Sequence, residues 1–312
     1  MDVLNEYTHF QKTQVAAGTV VTIGNFDGVH RGHQAILRNS SSIAHEKQLR
    51  FVVCTFEPHP AALFARGDVP ARLTSPTRKA ALLAEVSPDL LLIQNFTREF
   101  AGMDPALFVE SALVSAMNAR VVVVGKNFRF GKNRAGDLAF LQEMGRKNGF
   151  DVLAENLLST TDEVISSTRI RKLLAAGDVA LAADLLGRYH ELPGMVVHGK
   201  KMGAVLGFPT LNIAPEDVLI PADGIYAATV DVGADRDIPA AVYVGDRPTL
   251  HHGYSIEAHL LDFNRDVYNE HATLHFIKRI RENRQFDDIK SLQSQIVNDI
   301  DVIKRHIGDM NP

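Results

Sequence analysis

Over the first 186 residues, short runs of apolar residues with interspersed threonine lie at 19–23, 51–56, 90–93 and 121–125. Between these runs, near 33–47, 76–85, 104–117 and 137–148, apolar residues recur every third or fourth position. Runs of that length predict strands covered on both faces, and the spaced stretches predict amphipathic helices. Their alternation predicts βαβ units in an α/β fold with a parallel, doubly wound sheet, whose ligands collect at the carboxyl ends of the strands. After Leu186 the pattern changes. Short alternating runs at 195–197, 225–232, 240–244, 256–262 and 273–280, with turn residues between them, predict an antiparallel barrel or sandwich. Ile289, Leu292, Ile296, Ile300 and Ile303 then fall at helical spacing, predicting a terminal helix that packs on the barrel. Two domains are expected, 1–186 and 187–312, with a short boundary near Gly187.

Composition narrows this picture. A chain of 312 residues exceeds the usual single domain, and 46% hydrophobic with 22% charged residues excludes a mainly disordered protein. A net charge of -4 provides no global attraction for nucleic acid. The mixed polar start, with Asp2, Glu6 and His9, matches neither a signal peptide nor a transit sequence. No apolar run approaches the ~20 residues of a membrane span. Cys54 is the one cysteine, which excludes an intrachain disulfide and a cysteine-based zinc site, and its place in a strand-like run reads as an inert buried thiol. A cytoplasmic protein without nucleic-acid or membrane partners is expected.

The first candidate chemistry follows the first strand, in Gly24-Asn-Phe-Asp-Gly-Val-His-Arg-Gly-His33. Gly24, Gly28 and Gly32 permit close backbone approach to phosphates, and the helix that follows favours anions at its N-terminus. His30 and His33 offer donors to a negatively charged transition state. Asn25 and Asp27 read equally as polar groups at the site or as Asx-type turn residues. A second string, Ile165-Ser-Ser-Thr-Arg-Ile-Arg171, sets hydroxyls before a helix, where they serve as caps. Arg169 and Arg171 in its first turn oppose the helix dipole, which a bound anion would offset.

These strings resemble the nucleotidylyltransferase superfamily, in the form found in bacterial bifunctional riboflavin kinase/FAD synthetases. Thr55-Phe-Glu-Pro-His-Pro60, Arg72-Leu-Thr-Ser-Pro76 and Val124-Gly-Lys-Asn-Phe-Arg-Phe-Gly131, running on to Asp137, share the resemblance. It implies a Rossmann-like domain in which Gly24, Asn25, Phe26, Asp27, Gly28, Gly32, Ser166, Ser167 and Thr168 bind ATP. His30, His33 and Arg169 would act in catalysis. His59, Asn127, Phe128, Phe130 and Asp137 would receive FMN. By residue type alone, His59 is equally a capped loop residue, and Phe128 and Phe130 are equally core aromatics.

The second half contains Gly199-Lys-Lys-Met-Gly-Ala-Val-Leu-Gly-Phe-Pro-Thr-Leu-Asn212, whose lysines lack the spacing of a P-loop. It resembles the glycine loop and Pro-Thr-x-Asn turn of riboflavin kinase domains. That implies ATP under Gly199, Gly203 and Gly207, and Mg²⁺ at Thr210 and Asn212. Glu257 lies where the family carries its catalytic glutamate, and Arg281 stands in the family's stretch beside the flavin. The chain departs from the pattern at Ala204, Leu211, Asp246 and Asn269. Leu211, in place of alanine, is expected to put a larger side chain beside the metal site.

The resemblance implies a bifunctional enzyme. Riboflavin and ATP would give FMN and ADP in the second domain, and FMN and ATP would give FAD and pyrophosphate in the first. Its partners would be small molecules, and the protein a monomer or weak homo-oligomer. The alternatives are adenylylation alone, of FMN or another acceptor, or a second domain that senses flavin with little or no turnover.

Overall fold

The computed structural model describes the chain apart from Lys12, Ala65, Arg66, Asp68, Leu157, Thr161, Asp162, Lys200, Lys201, 247–253 and 309–312. Its strands are β1 (Asp2–Leu4), β2 (Thr19–Ile23), β3 (Arg50–Glu57), β4 (Leu90–Asn95), β5 (Ala119–Gly125), β6 (Asp151–Glu155), β7 (Ser159–Thr160), β8 (Glu163–Val164), β9 (His190–Val197), β10 (Leu211–Pro215), β11 (Gly224–Val232), β12 (Asp235–Asp246), β13 (Tyr254–Leu260) and β14 (His271–Arg281). Its helices are α1 (Arg31–Lys47), α2 (Pro60–Phe64), α3 (Pro76–Ala84), α4 (Arg98–Ala101), α5 (Pro105–Phe108), α6 (Leu138–Asn148), α7 (Ser167–Ala176), α8 (Val179–Leu186), α9 (Met202–Val205) and α10 (Ile289–Gly308). Contacts divide the chain into two compact units, Met1–Pro70 with Pro76–Ser166, and Ala71–Ser75 with Ser167–Pro312.

In the first unit, a six-stranded sheet runs in the order β1-β4-β3-β2-β5-β6 with every pair parallel. From β2 the chain builds β3 and β4 on one side, then crosses to β5 and β6 on the other. The carboxyl end of β2 is therefore the switch point at which such sheets bind ligands. Alternation along the central strands divides their side chains between two cores. Val21, Ile23, Val52, Leu92, Val122 and Val124 pack with Phe108, Leu113 and Leu141 on one face. Val20, Val53, Leu91, Val121 and Val123 pack with Leu37, Leu82 and Leu83 on the other. Each such buried Val or Leu contributes roughly 1.5–3 kcal/mol. Cys54 is buried among them, and burial pushes its thiol up to about 12, as an inert thiol requires. The edge strands β1 and β6 keep exposed positions, so no unbroken apolar run marks them in the sequence. The helix predicted over 104–117 is α5 continued as a π-helical stretch, Val109–Ala116.

In the second unit, the strands close into an antiparallel barrel in the order β10-β13-β12-β11-β14-β9. Of the two expected forms, the barrel is realised because β10, in a segment the sequence marks only as a turn, pairs with both β9 and β13. Leu192, Val196, Tyr226, Ala228, Val242, Ala258, Leu274 and Phe276 are fully buried. α10 covers part of the outer face, where Ile303 and Ile307 pack on Ala227, Leu261 and Ile277. α8 packs on β9 and β14, and α7 packs on α8. The boundary between compact units therefore lies at Ser166/Ser167, upstream of the change in pattern near Gly187. Apolar spacing predicts a helix without revealing which core its apolar face joins.

Candidate functional site

The segment after β2 is a tight, self-packed turn. Phe26 and Val29 take left-handed backbone at φ 47° and 37°, unfavourable for a ring-bearing and a β-branched residue, and Gly28 takes φ 81°. Such strain persists where the surroundings over-determine it. Phe26 and Val29 are buried, and Gln34 Nε2 donates to Val29 O at 2.9 Å. A Cβ at Gly24 would come within 3.0 Å of the Phe26 ring, and one at Gly32 within 3.1 Å of the His30 ring. These two glycines make room first for the turn's own rings. Asp27 is buried and Asn25 exposed, with Asn25 O accepting from Thr55 Oγ1 at 3.1 Å.

His30 caps α1: its Nδ1 accepts from the His33 backbone N–H at 3.3 Å. With Nδ1 accepting, the neutral ring carries its proton on Nε2. His33 stacks on His30 at 3.6 Å between centroids and meets the Phe26 edge at 5.3 Å. Burial, with His30 adding to it, holds the His33 pKa well below the usual histidine range. Its buried Nδ1 has no hydrogen-bond partner among the described residues. His33 is therefore a neutral imidazole, stacked on the residue that caps the helix.

Other predicted residues of this unit lie after β3 and β5. His59 is half-buried and its Nδ1 accepts from Ala61 N at 3.1 Å, capping the short α2. Asn127 is exposed. Phe128 is half-buried and stacks on Phe130 at 5.4 Å. Phe130 is a core ring, 5.5 Å from Phe108, with no room for a Cβ on Gly136 beneath it. Asp137 caps α6 through Phe140 N at 2.9 Å and pairs with Arg129 at 3.0 Å, and both hold its carboxyl below its usual range. Phe56, Phe96 and Phe100 extend the aromatic row, with Phe56 5.4 Å from Phe96 and Phe96 5.8 Å from Phe100. The sequence analysis did not single these out, although each lies at or just after the carboxyl end of a predicted strand. It also passed over Lys79, buried, whose Nζ donates to Phe56 O at 2.9 Å and pairs with Glu57 at 3.3 Å.

The Ser-Ser-Thr-x-x-Arg string falls on the division between units: Ser166 ends the first, and Ser167, Thr168 and Arg169 open α7 in the second. Arg171 Nε donates to Ala71 O at 2.7 Å within the second unit.

The barrel unit contains a cavity of about 180 Å³ between the outer face of the barrel and α10. Tyr243, Glu257, His259 and Arg281 line it from the strands, Thr210 from the turn before β10, and Ile296 and Asp299 from α10. Glu257 faces outward because Ile256, Ala258 and Leu260 take the inward positions. Its Oε2 accepts from Thr210 Oγ1 and its Oε1 from Ser255 Oγ, each at 3.0 Å. Asn212 lies directly opposite Glu257 across the β10–β13 ladder. Leu211 pairs with Ala258 and shares its face with buried Ile213, so it points away from Asn212 and Glu257. Leu211 therefore does not share a face with the residues expected to hold a metal.

The glycine loop folds onto this turn. A Cβ at Gly199 would collide with the Asn212 amide, and one at Gly203 with Phe208 O and with Thr210 Oγ1. Gly207 takes φ 91°. Lys200 and Lys201, the Arg247-Pro248-Thr249 stretch and the side chain of Ala204 lie outside the described residues. Asp246 ends β12, exposed, its carbonyl accepting from the Tyr243 hydroxyl. Asn269 holds the left-handed φ of 62° that explains glycine at this place in the family pattern, and asparagine tolerates it.

Arg281 is fixed by a residue the sequence analysis did not single out. Asp299 is buried and accepts from Arg281 Nε at 3.1 and 3.0 Å and from Nη2 at 2.7 Å. Gln295 Nε2 adds a bond to the same carboxylate at 2.7 Å. Asp299 lies one position before Ile300 in the apolar repeat, where a charge reads as solvated. α10 therefore builds a wall of the cavity as well as packing on the barrel.

Residues 12–169 match the family model described as FAD synthetase, and residues 186–307 the one described as riboflavin kinase. The bifunctional riboflavin kinase/FMN adenylyltransferase of Escherichia coli (strain K12) is 37% identical, over 95% of this chain and 95% of its own. The enzyme of the same description from Pseudomonas fluorescens is 38% identical over 91% of each chain. A crystal structure described as a macrolide-efflux protein from Streptococcus pneumoniae superposes with a TM-score of 0.86 at 27% identity, covering 97% of this chain and 98% of that one.

Proposed function

Because the chain belongs to the family of bifunctional riboflavin kinase/FMN adenylyltransferases, we propose how its residues divide the two reactions. The protein is an enzyme with both activities, using ATP and flavin substrates. We assign riboflavin phosphorylation to 187–312 and FMN adenylylation to 1–186.

In the kinase reaction the 5′-hydroxyl of riboflavin attacks the γ-phosphorus of ATP, its proton passes to Glu257, and ADP leaves. The observation that carries this assignment is the Glu257 carboxylate in the cavity wall, held by hydroxyls on both oxygens. A general base needs to be within hydrogen-bond reach of the proton it takes, and Glu257 faces the space assigned to the ribityl chain. Arg281 and α10 flank the flavin, and Gly199, Gly203 and Gly207 bring backbone toward the ATP phosphates. Thr210 and Asn212 suit Mg²⁺. The Thr210 proton is directed to Glu257, which leaves oxygen lone pairs for a hard cation, and Asn212, opposite Glu257 in the ladder, is a residue type with an amide oxygen that suits the same ion. When bound, the ion would neutralise charge on the transferring phosphates.

In the adenylylation a phosphate oxygen of FMN attacks the α-phosphorus of ATP and pyrophosphate leaves. His30 and His33 donate N–H to the phosphates from the N-terminus of α1, whose dipole favours the same charge. Gly24 to Gly28 and Gly32 line the triphosphate, and Ser166, Ser167, Thr168 and Arg169 are assigned to pyrophosphate by resemblance alone. His59, Asn127, Phe128, Phe130 and Asp137 are assigned to the flavin, with Phe128 the ring best supported as a stacking face. We place the protein in the cytoplasm as a monomer or weak homo-oligomer. Among the described residues no helix is long and apolar enough to cross a membrane.

Purified protein with ATP and Mg²⁺, started in parallel from riboflavin and from FMN and resolved by chromatography, tests this. FAD from both is expected. FAD from FMN alone overturns the kinase assignment, and no FAD from either overturns the adenylylation assignment.

A further inference from the structure

The outer face of β13 carries three polar side chains in succession, Ser255, Glu257 and His259, spaced roughly 7 Å apart as alternate residues of a strand are. Only the middle one has a part in the proposed chemistry. Ser255 Oγ donates to Glu257 Oε1 at 3.0 Å, opposite the Thr210 donor on Oε2. His259 Nδ1 lies 2.7 Å from Pro209 O, and because a carbonyl only accepts, Nδ1 carries the proton. The His259 ring also meets the Phe208 ring edge-on at 5.8 Å. One neighbour therefore holds the carboxylate and the other holds the turn that presents Thr210.

We propose that Ser255 and His259 are positioning residues for phosphoryl transfer, Ser255 by orienting the Glu257 carboxylate and His259 by anchoring the Phe208-Pro209-Thr210 turn to the same strand. The inference rests on the kinase assignment above. A glutamate side chain held on one oxygen can still swing its other oxygen about the terminal torsion, which is broad and soft. Donors on both oxygens fix the carboxylate plane. Proline has no N–H, so the Pro209 carbonyl is that residue's one backbone hydrogen-bonding group. The bond from His259 ties this carbonyl to the strand that carries the base. The register completes the frame: Ser255, Glu257 and His259 pair with Gly245, Tyr243 and Ala241 of β12, so all three ride on one continuous ladder.

The test is steady-state riboflavin phosphorylation by S255A, S255T, H259A and H259N in the full chain. FMN adenylylation by the same preparations serves as the measure of intact protein. S255A is expected to lower kcat about tenfold, the scale of one hydrogen bond to a charged group, and to leave KM for riboflavin within about twofold. S255T keeps the hydroxyl and is expected to restore most of the rate. H259A is expected to lower kcat about fivefold, somewhat less because its bond is neutral, and H259N to recover it, since the Asn amide can replace Nδ1–H. Wild-type kcat in S255A and H259A overturns the inference while the kinase assignment stands. Equal losses in H259A and H259N overturn the part given to His259, and equal losses in S255A and S255T the part given to Ser255. A wild-type protein that forms no FMN overturns the kinase assignment itself.

Discussion

The candidate sites of the two units are built in opposite ways. In the first, the turn between β2 and α1 is one continuous segment: Gly24 to His33 supplies the glycines, the helix N-terminus, both histidines and the ring that packs on them. In the second, Thr210, Glu257, Arg281 and Asp299 meet around one cavity although they are far apart along the chain. A contiguous site can hold its shape largely through contacts inside the segment. An assembled site depends on strand register and on where α10 lands. Glycine does different work accordingly: Gly24 and Gly32 make room for rings within their own turn, and Gly199 and Gly203 make room for a neighbouring turn.

The sharpest way to break this comparison is a crossed pair of substitutions. Glu257→Gln is expected to cut FMN formation from riboflavin by about 10²–10⁴ and leave FAD formation from FMN intact. His30→Ala is expected to cut FAD formation from FMN by about 10²–10³, with riboflavin phosphorylation retained. Loss of both products in either variant would show that the sites do not work separately.

Buried histidines sharpen the comparison at the level of stability. His190 donates through Nε2 to Leu219 O at 2.7 Å, stacks near Phe276, and has a buried Nδ1 with no partner among the described residues. Burial lowers its pKa to about 4. The unfolded chain therefore binds this proton at higher pH than the folded one, and stability falls as pH drops from about 6.5 towards about 4. Across that window the loss attributable to His190 is on the order of 3 kcal/mol. Denaturant unfolding of the barrel at several pH values is expected to show this slope, and His190→Gln to flatten it. His33 is shifted in the same direction, so the first unit should also weaken as pH falls below the ordinary histidine range, in a transition that His190→Gln leaves unchanged.

A smaller effect is expected at α10. Asp299→Asn removes the charge opposite Arg281 and is expected to raise KM for riboflavin about tenfold with little change in kcat. A fall in kcat with KM unchanged would give Asp299 a part in the chemistry instead.

Much of this was legible in the sequence, and what was not has common causes. The four central strands, the helices between them and the terminal helix follow from apolar runs and spacings, since each is selected by its own burial pattern. β1 and β6 escaped because edge strands keep exposed positions. β10 escaped because Pro209 and Asn212 read as turn residues, although Asn212 already lies in the ladder. His59 and Asp137 read as flavin contacts by resemblance, and the structure gives both a local capping role, which residue type alone had left open for His59.

By itself the sequence determined the two fold classes and the pairing of the two activities in one chain, and it picked out the two glycine-rich turns as candidate sites. These depend on local spacing, or on motifs whose residues lie next to one another. Tertiary structure alone decided that the barrel closes, that α7 and α8 join its unit, that Leu211 turns inward, and that Asp299 holds Arg281 in a cavity wall. Each of these is a choice of partner between distant segments. Hydrophobic periodicity states which face of an element will be buried, whereas packing and register settle what buries it.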